Sequence, residues 1–228
     1  MIKILTLITA RRNSKGLSNK HLLNLGSVKL IEHTFNFANK FDELGTIVLS
    51  TDCEDIIKAS KKYKKIITPF KRPDNIALDT TTQIEVIDHA LNYFKNTEFS
   101  HVILLQPSSP FRKKDEILKG IEMLKNGCNS VIGVCEPIMH PADYIYSKKG
   151  KLNWILDDFR GKNRQEFPKL FFNNGAFYGF EINFFKKYKI LYNEKSKLLI
   201  MNRNSFVDID DSFDYKLAKY IIENEKNI

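Results

Sequence analysis

The chain has 228 residues, of which 43% are hydrophobic, and this length and composition suit one large α/β domain with its own core. Its 36 lysines and arginines outnumber its 27 aspartates and glutamates, and the net charge of +9 favours negatively charged partners such as phosphorylated metabolites. The lysines are scattered and form no RNA-binding signature, so we expect no nucleic-acid partner.

The cysteines and the N-terminus bear on the cellular compartment. Cys53, Cys128 and Cys135 are odd in number and lack the C-x-x-C spacing of a zinc site, which predicts reduced thiols. Met1 leads directly into an apolar strand without the pattern of a signal peptide, and no apolar run is long enough to span a bilayer. We therefore expect a cytoplasmic protein without a membrane partner.

Apolar runs of strand length alternate with segments of helical spacing along the chain. Strands are predicted at 4–8, 46–49, 65–68, 101–105, 130–135, 171–178, 198–201 and, as a strand end, 206–211. Helices are predicted at 30–41, 53–63 with Asp52 as N-cap, 82–94 with a capping box, 114–124, 182–188 and 212–224. This alternation predicts a Rossmann-like three-layer α/β sandwich around a mostly parallel sheet.

The alternation breaks down between residues 137 and 172. Tyr144 to Tyr146 and Leu152 to Leu156 are predicted as two short strands of a hairpin that turns at residues 148–151. A projecting hairpin rich in aromatic residues is typical of a subunit interface, although a small sheet packed on its own domain is an equal alternative. We predict one domain, 1–228, from which segment 137–172 projects.

The loop after the first strand is strongly cationic. It places Arg11, Arg12, Lys15 and Lys20 around Gly16, whose freedom suits a tight anion-binding loop. A solvated basic turn would also explain these charges. The position favours phosphate binding, because open α/β sheets bind ligands just beyond the carboxyl ends of their strands. The loop is neither a Walker A sequence nor a G-x-G-x-x-G dinucleotide signature.

Asp208 and Asp210 are predicted to alternate along a strand end, so that both carboxylates lie on one face and Ile209 points into the core. Two such carboxylates near phosphates suit Mg²⁺, which takes its other ligands from water and phosphate. Alternatively, both are surface acids and Asp211 caps the following helix. A phosphate site and a metal site in one chain together indicate a nucleotide.

Uncharged polar residues stand at two other strand ends. Gln106 and Asn174 are suited to hydrogen-bonding a polyol, and capping of their strands is an equal alternative. Ser108 and Ser109 do not lie in a nucleophile elbow, and no histidine pair has metal-ligand spacing, so covalent catalysis is not indicated.

Six segments, in order along the chain, resemble one family. They are A-R-R-N-S-K-G-L-S-N-K (10–20), S-T-D (50–52), R-P-x-x-x-A-x-D (72–79), L-L-Q-P-S-S-P-F-R (104–112), N-G-A-x-Y (174–178) and D-I-D (208–210). Together they resemble the CMP-sialic acid synthetases, or acylneuraminate cytidylyltransferases, over nearly the whole chain. The resemblance implies a fold of the nucleotide-diphospho-sugar transferase type. It also implies a homodimer in which the projecting segment reaches the partner's sugar site.

The resemblance further implies that CTP and a nonulosonic acid, an N-acylneuraminate or a relative, give a CMP-sugar and pyrophosphate. The sugar 2-hydroxyl would attack the α-phosphorus, with Mg²⁺ held by Asp208 and Asp210. Arg11, Lys15 and Asp210 would be catalytic. By position, the nucleotide would be bound by Ala10, Arg11, Lys15, Lys20, His21, Arg72, Thr81 and Gln83, and the sugar by Gln106, Arg164, Asn174 and Tyr178.

Three positions depart from the family. His21 stands where the family usually has Asn, and Phe172 stands where an Arg can occur. Asp143 occupies a position at which some members have a Lys that meets the sugar carboxylate across the dimer. The loss of two cations near an anionic sugar suggests a sugar of the legionaminic or pseudaminic type.

Three other functions are alternatives. A 3-deoxy-manno-octulosonate cytidylyltransferase would use CTP with another sugar. A D-x-D glycosyltransferase would turn over a finished nucleotide sugar and not CTP. A non-catalytic nucleotide- or RNA-binding module would hardly be affected by replacing Asp210 with Asn.

Overall fold

Strands and helices alternate in the computed structural model, which describes residues 2–224. The strands are β1 (Ile4–Thr9), β2 (Asn24–Leu25), β3 (Val28–Lys29), β4 (Thr46–Ser50), β5 (Ile66–Ile67), β6 (His101–Leu105), β7 (Ser130–Cys135), β8 (Ile145–Lys148), β9 (Lys151–Trp154), β10 (Phe172–Glu181) and β11 (Lys197–Ile200). The helices are α1 (Leu30–Ala38), α2 (Glu54–Ser60), α3 (Gln83–Tyr93), α4 (Lys114–Lys125), α5 (Ile182–Tyr188) and α6 (Ser212–Asn224).

The central sheet has seven strands in the order β11-β7-β10-β6-β1-β4-β5. All neighbouring pairs are parallel except those of β10, which runs antiparallel to β6 and to β7. The parallel strands β1, β4 and β6 end at Thr9, Ser50 and Leu105, so their carboxyl ends lie along one edge of the sheet. The antiparallel strand β10 begins at that same edge. The loops that carry the predicted site residues are thus brought together.

Helices cover both faces of the sheet. On one face α1, α2 and α4 contribute Phe35, Ile56 and Ile121 to one buried cluster, and on the other face α3 and α5 contribute Ile87 and Phe185 to a second. All six residues of β1 are buried, as expected for a parallel strand between two helical layers. The predicted three-layer α/β fold is confirmed. No helix within residues 2–224 is long and apolar enough to cross a bilayer.

Several element boundaries agree with the prediction and others do not. The capping box of α3 is present, because Thr82 Oγ1 accepts a hydrogen bond from Glu85 N at 3.3 Å and the Glu85 carboxylate accepts one from Thr82 N at 2.6 Å. Asp52 as N-cap was wrong. The N-cap of α2 is Cys53, while the Asp52 carboxylate accepts a hydrogen bond from Arg12 N at 2.8 Å. The α1 helix ends at Ala38 instead of residue 41 because the chain tightens into i→i+3 hydrogen bonds.

The strand end predicted at 206–211 was also wrong. A short 3₁₀ helix, Arg203–Phe206, is followed by irregular chain through Asp210. Ile209 is nonetheless fully buried, and its N–H donates a hydrogen bond to Ser108 O at 2.8 Å. A buried apolar residue therefore fixes this segment without ladder pairing.

The predicted hairpin exists within segment 137–172. β8 and β9 pair only with each other among the described residues, in antiparallel register from Ile145–Trp154 to Lys148–Lys151. Apolar side chains of the hairpin face solvent, since Ile145 is 52% exposed and Leu152 is 59% exposed. The structure has one chain, so the role of segment 137–172 in a dimer stays a prediction.

Candidate active site

A cavity of about 520 Å³ opens at the edge where the parallel strands end. Loops that follow β1 and β6, the turn before α3 and the irregular segment before α6 form its walls. The predicted nucleotide residues in these walls are Arg11, Lys15, Lys20, His21, Arg72, Thr81 and Gln83. Gln106, Asp208 and Asp210 are the other predicted residues that line the cavity.

Arg11 and Lys15 of the basic loop lie close to the carboxylate of Asp79 in the cavity wall. Arg11 Nη1 lies 2.7 Å from Asp79 Oδ1 and donates a hydrogen bond to Leu78 O at 2.9 Å. Lys15 Nζ lies 4.0 Å from Asp79 Oδ2, and its side chain is 74% exposed. Lys15 is therefore free to reach a ligand, whereas Arg11 is already held in place.

Lys20 is buried and joins the basic loop to the segment before α6. Its Nζ donates hydrogen bonds to Ile209 O at 2.7 Å and to Asp210 Oδ1 at 2.9 Å. Gly16 packs against the same segment, because a Cβ at this position would lie 2.3 Å from Asp210 O. Gly16 does not have a positive φ, so the backbone conformation does not require glycine here. Glycine is needed because the two backbone segments approach each other closely.

His21 and Arg72 are buried residues that line the floor of the cavity. His21 is 6% exposed, and its Nδ1 has no hydrogen-bond partner among the described residues. Burial, together with the charges of Lys20, Arg72 and Arg11, lowers the pKa of His21 to about 3, so the ring is neutral at physiological pH. Arg72 donates from Nε to Ser50 Oγ at 3.1 Å and from Nη2 to Ser50 O at 2.6 Å. Burial lowers its pKa only to about 10, so Arg72 remains charged.

Asp208 and Asp210 both line the cavity, on either side of the buried Ile209. Asp208 accepts a hydrogen bond from Ser109 Oγ at 3.2 Å. Burial raises the pKa of Asp208, a hydrogen bond from Ser108 opposes this shift, and the charge of Asp210 adds to it. The Asp208 and Asp210 carboxylates repel each other, and Asp208 is also desolvated. A bound cation would offset this repulsion.

Asp211 has the structural role that was considered for it. Its Oδ1 accepts hydrogen bonds from Phe213 N at 2.7 Å and from Asp214 N at 3.0 Å, which caps the first turn of α6. Asp210 takes part only through its backbone N–H, which donates a hydrogen bond to Asp214 Oδ2 at 3.0 Å, and the Asp208 and Asp210 carboxylates accept none of these hydrogen bonds. The two carboxylates of the D-x-D pattern are therefore not required to begin the helix.

Gly175 packs closely against Ser109 and Gln106 beside the cavity. It lies in an irregular stretch of β10 with φ of +70°, and a Cβ there would lie 2.7 Å from Ser109 Oγ and 2.9 Å from Gln106 Oε1. It would also lie 3.4 Å from Asp208 Oδ2. Only glycine combines this backbone conformation with this close approach. The structure thus gives a reason for the glycine of the N-G-A-x-Y segment.

Four predicted site residues lie outside the cavity walls. Asn174 is 1% exposed, and its amide donates to Ser205 Oγ at 2.9 Å and accepts from Ala176 N at 3.1 Å, so these hydrogen bonds support the irregular stretch of β10. Tyr178 is buried, and its hydroxyl accepts a hydrogen bond from Asn173 Nδ2 at 2.7 Å.

Ala10 and Arg164 are the other two. Ala10 is buried, and its N–H donates to Ser50 O at 3.1 Å as an extension of the β1–β4 pairing. Arg164 begins an exposed 3₁₀ helix in segment 137–172. Neither residue lines the cavity of its own chain.

Other residues of the cavity were not assigned from the sequence. Asp79 belongs to a quoted segment, but no local rule indicates that its carboxylate pairs with a distant arginine. Ser108 and Ser109 were considered only as nucleophiles, whereas in the structure Ser109 Oγ donates a hydrogen bond to Asp208 and Ser108 O accepts one from Ile209 N. Their position directly after a buried strand was the available signal.

Comparisons with known proteins identify the family of this chain. Residues 5–226 match the sequence pattern of the family described as Cytidylyltransferase. The chain is 30% identical to CMP-N,N'-diacetyllegionaminic acid synthase of Legionella pneumophila, over 97% of each chain. It is 29% identical to N-acylneuraminate cytidylyltransferase of Escherichia coli O18:K1:H7 over 99% of its own length and 53% of that protein, so it spans about half of this relative.

A solved structure shares the fold. The CMP:2-keto-3-deoxy-manno-octonic acid synthetase complexed with CTP superposes with a TM-score of 0.69 at 12% identity, over 98% of this chain and 99% of that one. The family pattern spans almost the entire chain. The cavity contains cations, which suit phosphate groups, and carboxylates, which suit a metal ion. The chain therefore belongs to the cytidylyltransferase family and is a nucleotidyltransferase.

Proposed function

We propose that this protein transfers the cytidylyl group of CTP to a nonulosonic acid and releases pyrophosphate. The observation that carries the proposal is the cavity in which Arg11, Lys15, Lys20 and Arg72 meet Asp208 and Asp210. Relatives named for N-acylneuraminate and for diacetyllegionaminic acid support an acceptor of this class.

The nucleotide side follows from charge. A triphosphate carries several negative charges, and the basic loop offers Arg11, Lys15 and Lys20 at its binding edge. Arg72 and the neutral His21 extend this side into the buried floor of the cavity. Thr81 and Gln83 line the adjoining wall, where we place the cytidine. Thr9 Oγ1 donates a hydrogen bond to Gln83 Oε1 at 3.3 Å, which orients the Gln83 amide.

Asp208 and Asp210 would hold Mg²⁺. The donor set fits, because Asp208 and Asp210 are both carboxylates that line the cavity. Mg²⁺ takes few protein ligands and completes its shell with water and phosphate. When bound, the ion supplies charge neutralisation and lowers the pKa of an oxygen that it contacts.

The proposed reaction is a displacement at the α-phosphorus. The oxygen of the sugar 2-hydroxyl forms the new O–P bond, the bond from the α-phosphorus to the bridging oxygen of the β-phosphate breaks, and the hydroxyl proton is released to solvent. Pyrophosphate leaves with the electron pair of the broken bond. Arg11 and Lys15 contribute by holding the triphosphate and by stabilising the charge that develops on the leaving group. Covalent assistance from the protein is not needed.

The sugar side of the cavity contains neutral groups. Gln106 and Ser108 line it, and Gly175 lets the backbone of β10 approach Gln106 closely. We propose an acceptor of the legionaminic or pseudaminic type, because Asp143 and Phe172 stand where cations occur in some sialic acid enzymes. We also propose a homodimer in which segment 137–172, with Arg164, reaches the partner's sugar site. The exposed apolar residues of β8 and β9 support this arrangement.

Replacing Asp210 with Asn tests the proposed chemistry. The substitution keeps the shape of the side chain and removes a proposed metal ligand, so we expect pyrophosphate release from CTP and acceptor to fall by at least about 100-fold. Far-UV circular dichroism should be unchanged, since Asp210 is exposed. Asp55→Asn removes the same charge from an exposed position on α2 and serves as the control. Wild-type turnover in Asp210→Asn would contradict the proposed role of the D-x-D pair.

A further inference from the structure

Asp79 is the carboxylate of the cavity that lies apart in sequence from the D-x-D pair, and the proposed reaction gives it no role. It contacts both Arg11 and Lys15, which are the cations we assign to the triphosphate. A negative charge at this place would repel a triphosphate if it acted alone. Its presence beside two phosphate-binding cations therefore needs an explanation.

The turn that carries Asp79 is tightly built. Thr81 Oγ1 accepts a hydrogen bond from Leu78 N at 3.1 Å, and Thr81 N donates one to Leu78 O at 3.1 Å. The capping box of Thr82 and Glu85 follows at once and fixes the start of α3. The Asp79 carboxylate thus projects from a backbone that is anchored on both sides of the turn.

This turn presents two acceptors to one guanidinium. Arg11 Nη1 donates to Leu78 O at 2.9 Å and lies 2.7 Å from Asp79 Oδ1. Within residues 2–224, both the hydrogen bond and the ion pair of the Arg11 side chain involve Nη1. Arginine has five N–H donors, so the donors on Nε and Nη2 remain for a ligand. The Arg11 side chain is only 27% exposed, which is consistent with a guanidinium held in the cavity wall.

We propose that Asp79 is a positioning residue that orders Arg11 for the triphosphate of the incoming nucleotide. An arginine side chain loses considerable rotamer freedom when it is fixed by a ligand, and prior fixation by Asp79 removes that cost from binding. Asp79 lies within 4.0 Å of both Arg11 and Lys15, whose positive charges oppose its repulsion of the triphosphate. The proposal rests on the proposed function only in taking CTP as the nucleotide.

The test is the affinity for CTP, measured by calorimetry on the full chain without acceptor. Asp79→Asn should weaken CTP binding by about three- to tenfold, which corresponds to the cost of ordering one long side chain. In steady-state turnover the KM for CTP should rise by the same factor, while kcat at saturating CTP stays unchanged. A merely structural role would not separate KM from kcat in this way.

Two further variants serve as controls for the effect of Asp79→Asn on CTP binding. Asp74→Asn makes the same charge change on an exposed residue of the same segment that does not line the cavity, and CTP affinity should stay within about twofold. In an Arg11→Met background, Asp79→Asn should cause no further loss, because the group that Asp79 orders is absent.

The outcomes separate the two proposals. If wild-type protein binds CTP and Asp79→Asn binds it equally well or more tightly, the positioning role is overturned and the proposed function stands. If Asp79→Asn weakens binding as much in the Arg11→Met background as in the wild type, Asp79 does not act through Arg11. A wild-type protein that binds no CTP would overturn the proposed function, and the positioning role with it.

Discussion

The burial of His21 leads to a quantitative prediction about how the free energy of unfolding depends on pH. The pKa of His21 is about 3 in the folded chain against 6.5 for an unperturbed histidine, with burial as the main cause. Between these values the unfolded chain takes up a proton that the folded chain does not, so the free energy of unfolding falls as the pH falls. At pH 5 the loss due to His21 is about 2 kcal/mol, and at pH 7.5 it is close to zero.

His21→Asn isolates this contribution. The substitution removes the titrating ring, and the packing that it disturbs costs about the same at both pH values. Urea unfolding followed by circular dichroism at pH 7.5 and pH 5.0, at constant ionic strength, gives the two free energies of unfolding. We expect the wild type to lose about 2 kcal/mol more than the variant between these pH values. The pKa values of His89 and His101 are also lowered, mainly by burial, but both residues are present in both proteins.

An equal loss of stability in both proteins would refute this reasoning. It would mean that His21 accepts a proton in the folded state despite the neighbouring cations. The ring would then add a positive charge to those of Arg11, Lys15, Lys20 and Arg72 at acidic pH, instead of acting as a neutral group.

Two further predictions concern backbone and buried contacts. Gly16→Ala would place a Cβ 2.3 Å from Asp210 O, so we expect the basic loop to shift and calorimetry to show CTP binding at least about tenfold weaker, with wild-type affinity as the contrary result. Asn174→Ala removes buried hydrogen bonds to Ser205 and Ala176, so we expect urea unfolding to show a loss of about 1–3 kcal/mol while the KM for the sugar changes little. A raised sugar KM at unchanged stability would instead place Asn174 in the sugar site.

The sequence alone predicted the elements whose signal is local. β6 and α5 have the predicted bounds because an apolar run or a helical spacing is bordered by polar residues on each side. The capping box of α3 was also predictable, since Thr82 and Glu85 lie three residues apart. The order of strands in the sheet depends on tertiary packing, and the sequence alone did not give it.

The wrong N-cap has a physical cause, which is competition from a distant partner. Asp52 does not cap α2 because its carboxylate accepts a hydrogen bond from Arg12, in the loop after β1. Distant partners also hold two predicted site residues, since Asn174 donates to Ser205 and Arg11 pairs with Asp79. Side-chain polarity and position at a strand end indicated that these residues form hydrogen bonds or ion pairs. The choice between a ligand and another part of the chain required the three-dimensional structure.

The most direct measurement of the central claim is pyrophosphate release with identification of the sugar product. Wild-type protein is incubated with Mg²⁺ and CTP, with UTP and ATP as controls, and with N-acetylneuraminate, legionaminate, pseudaminate or octulosonate derivatives in parallel. We predict that CTP and one nonulosonate give equimolar pyrophosphate and CMP-sugar, and that a chelator abolishes turnover. Binding of CTP without pyrophosphate release from any acceptor, or turnover of a finished nucleotide sugar instead, would contradict the account.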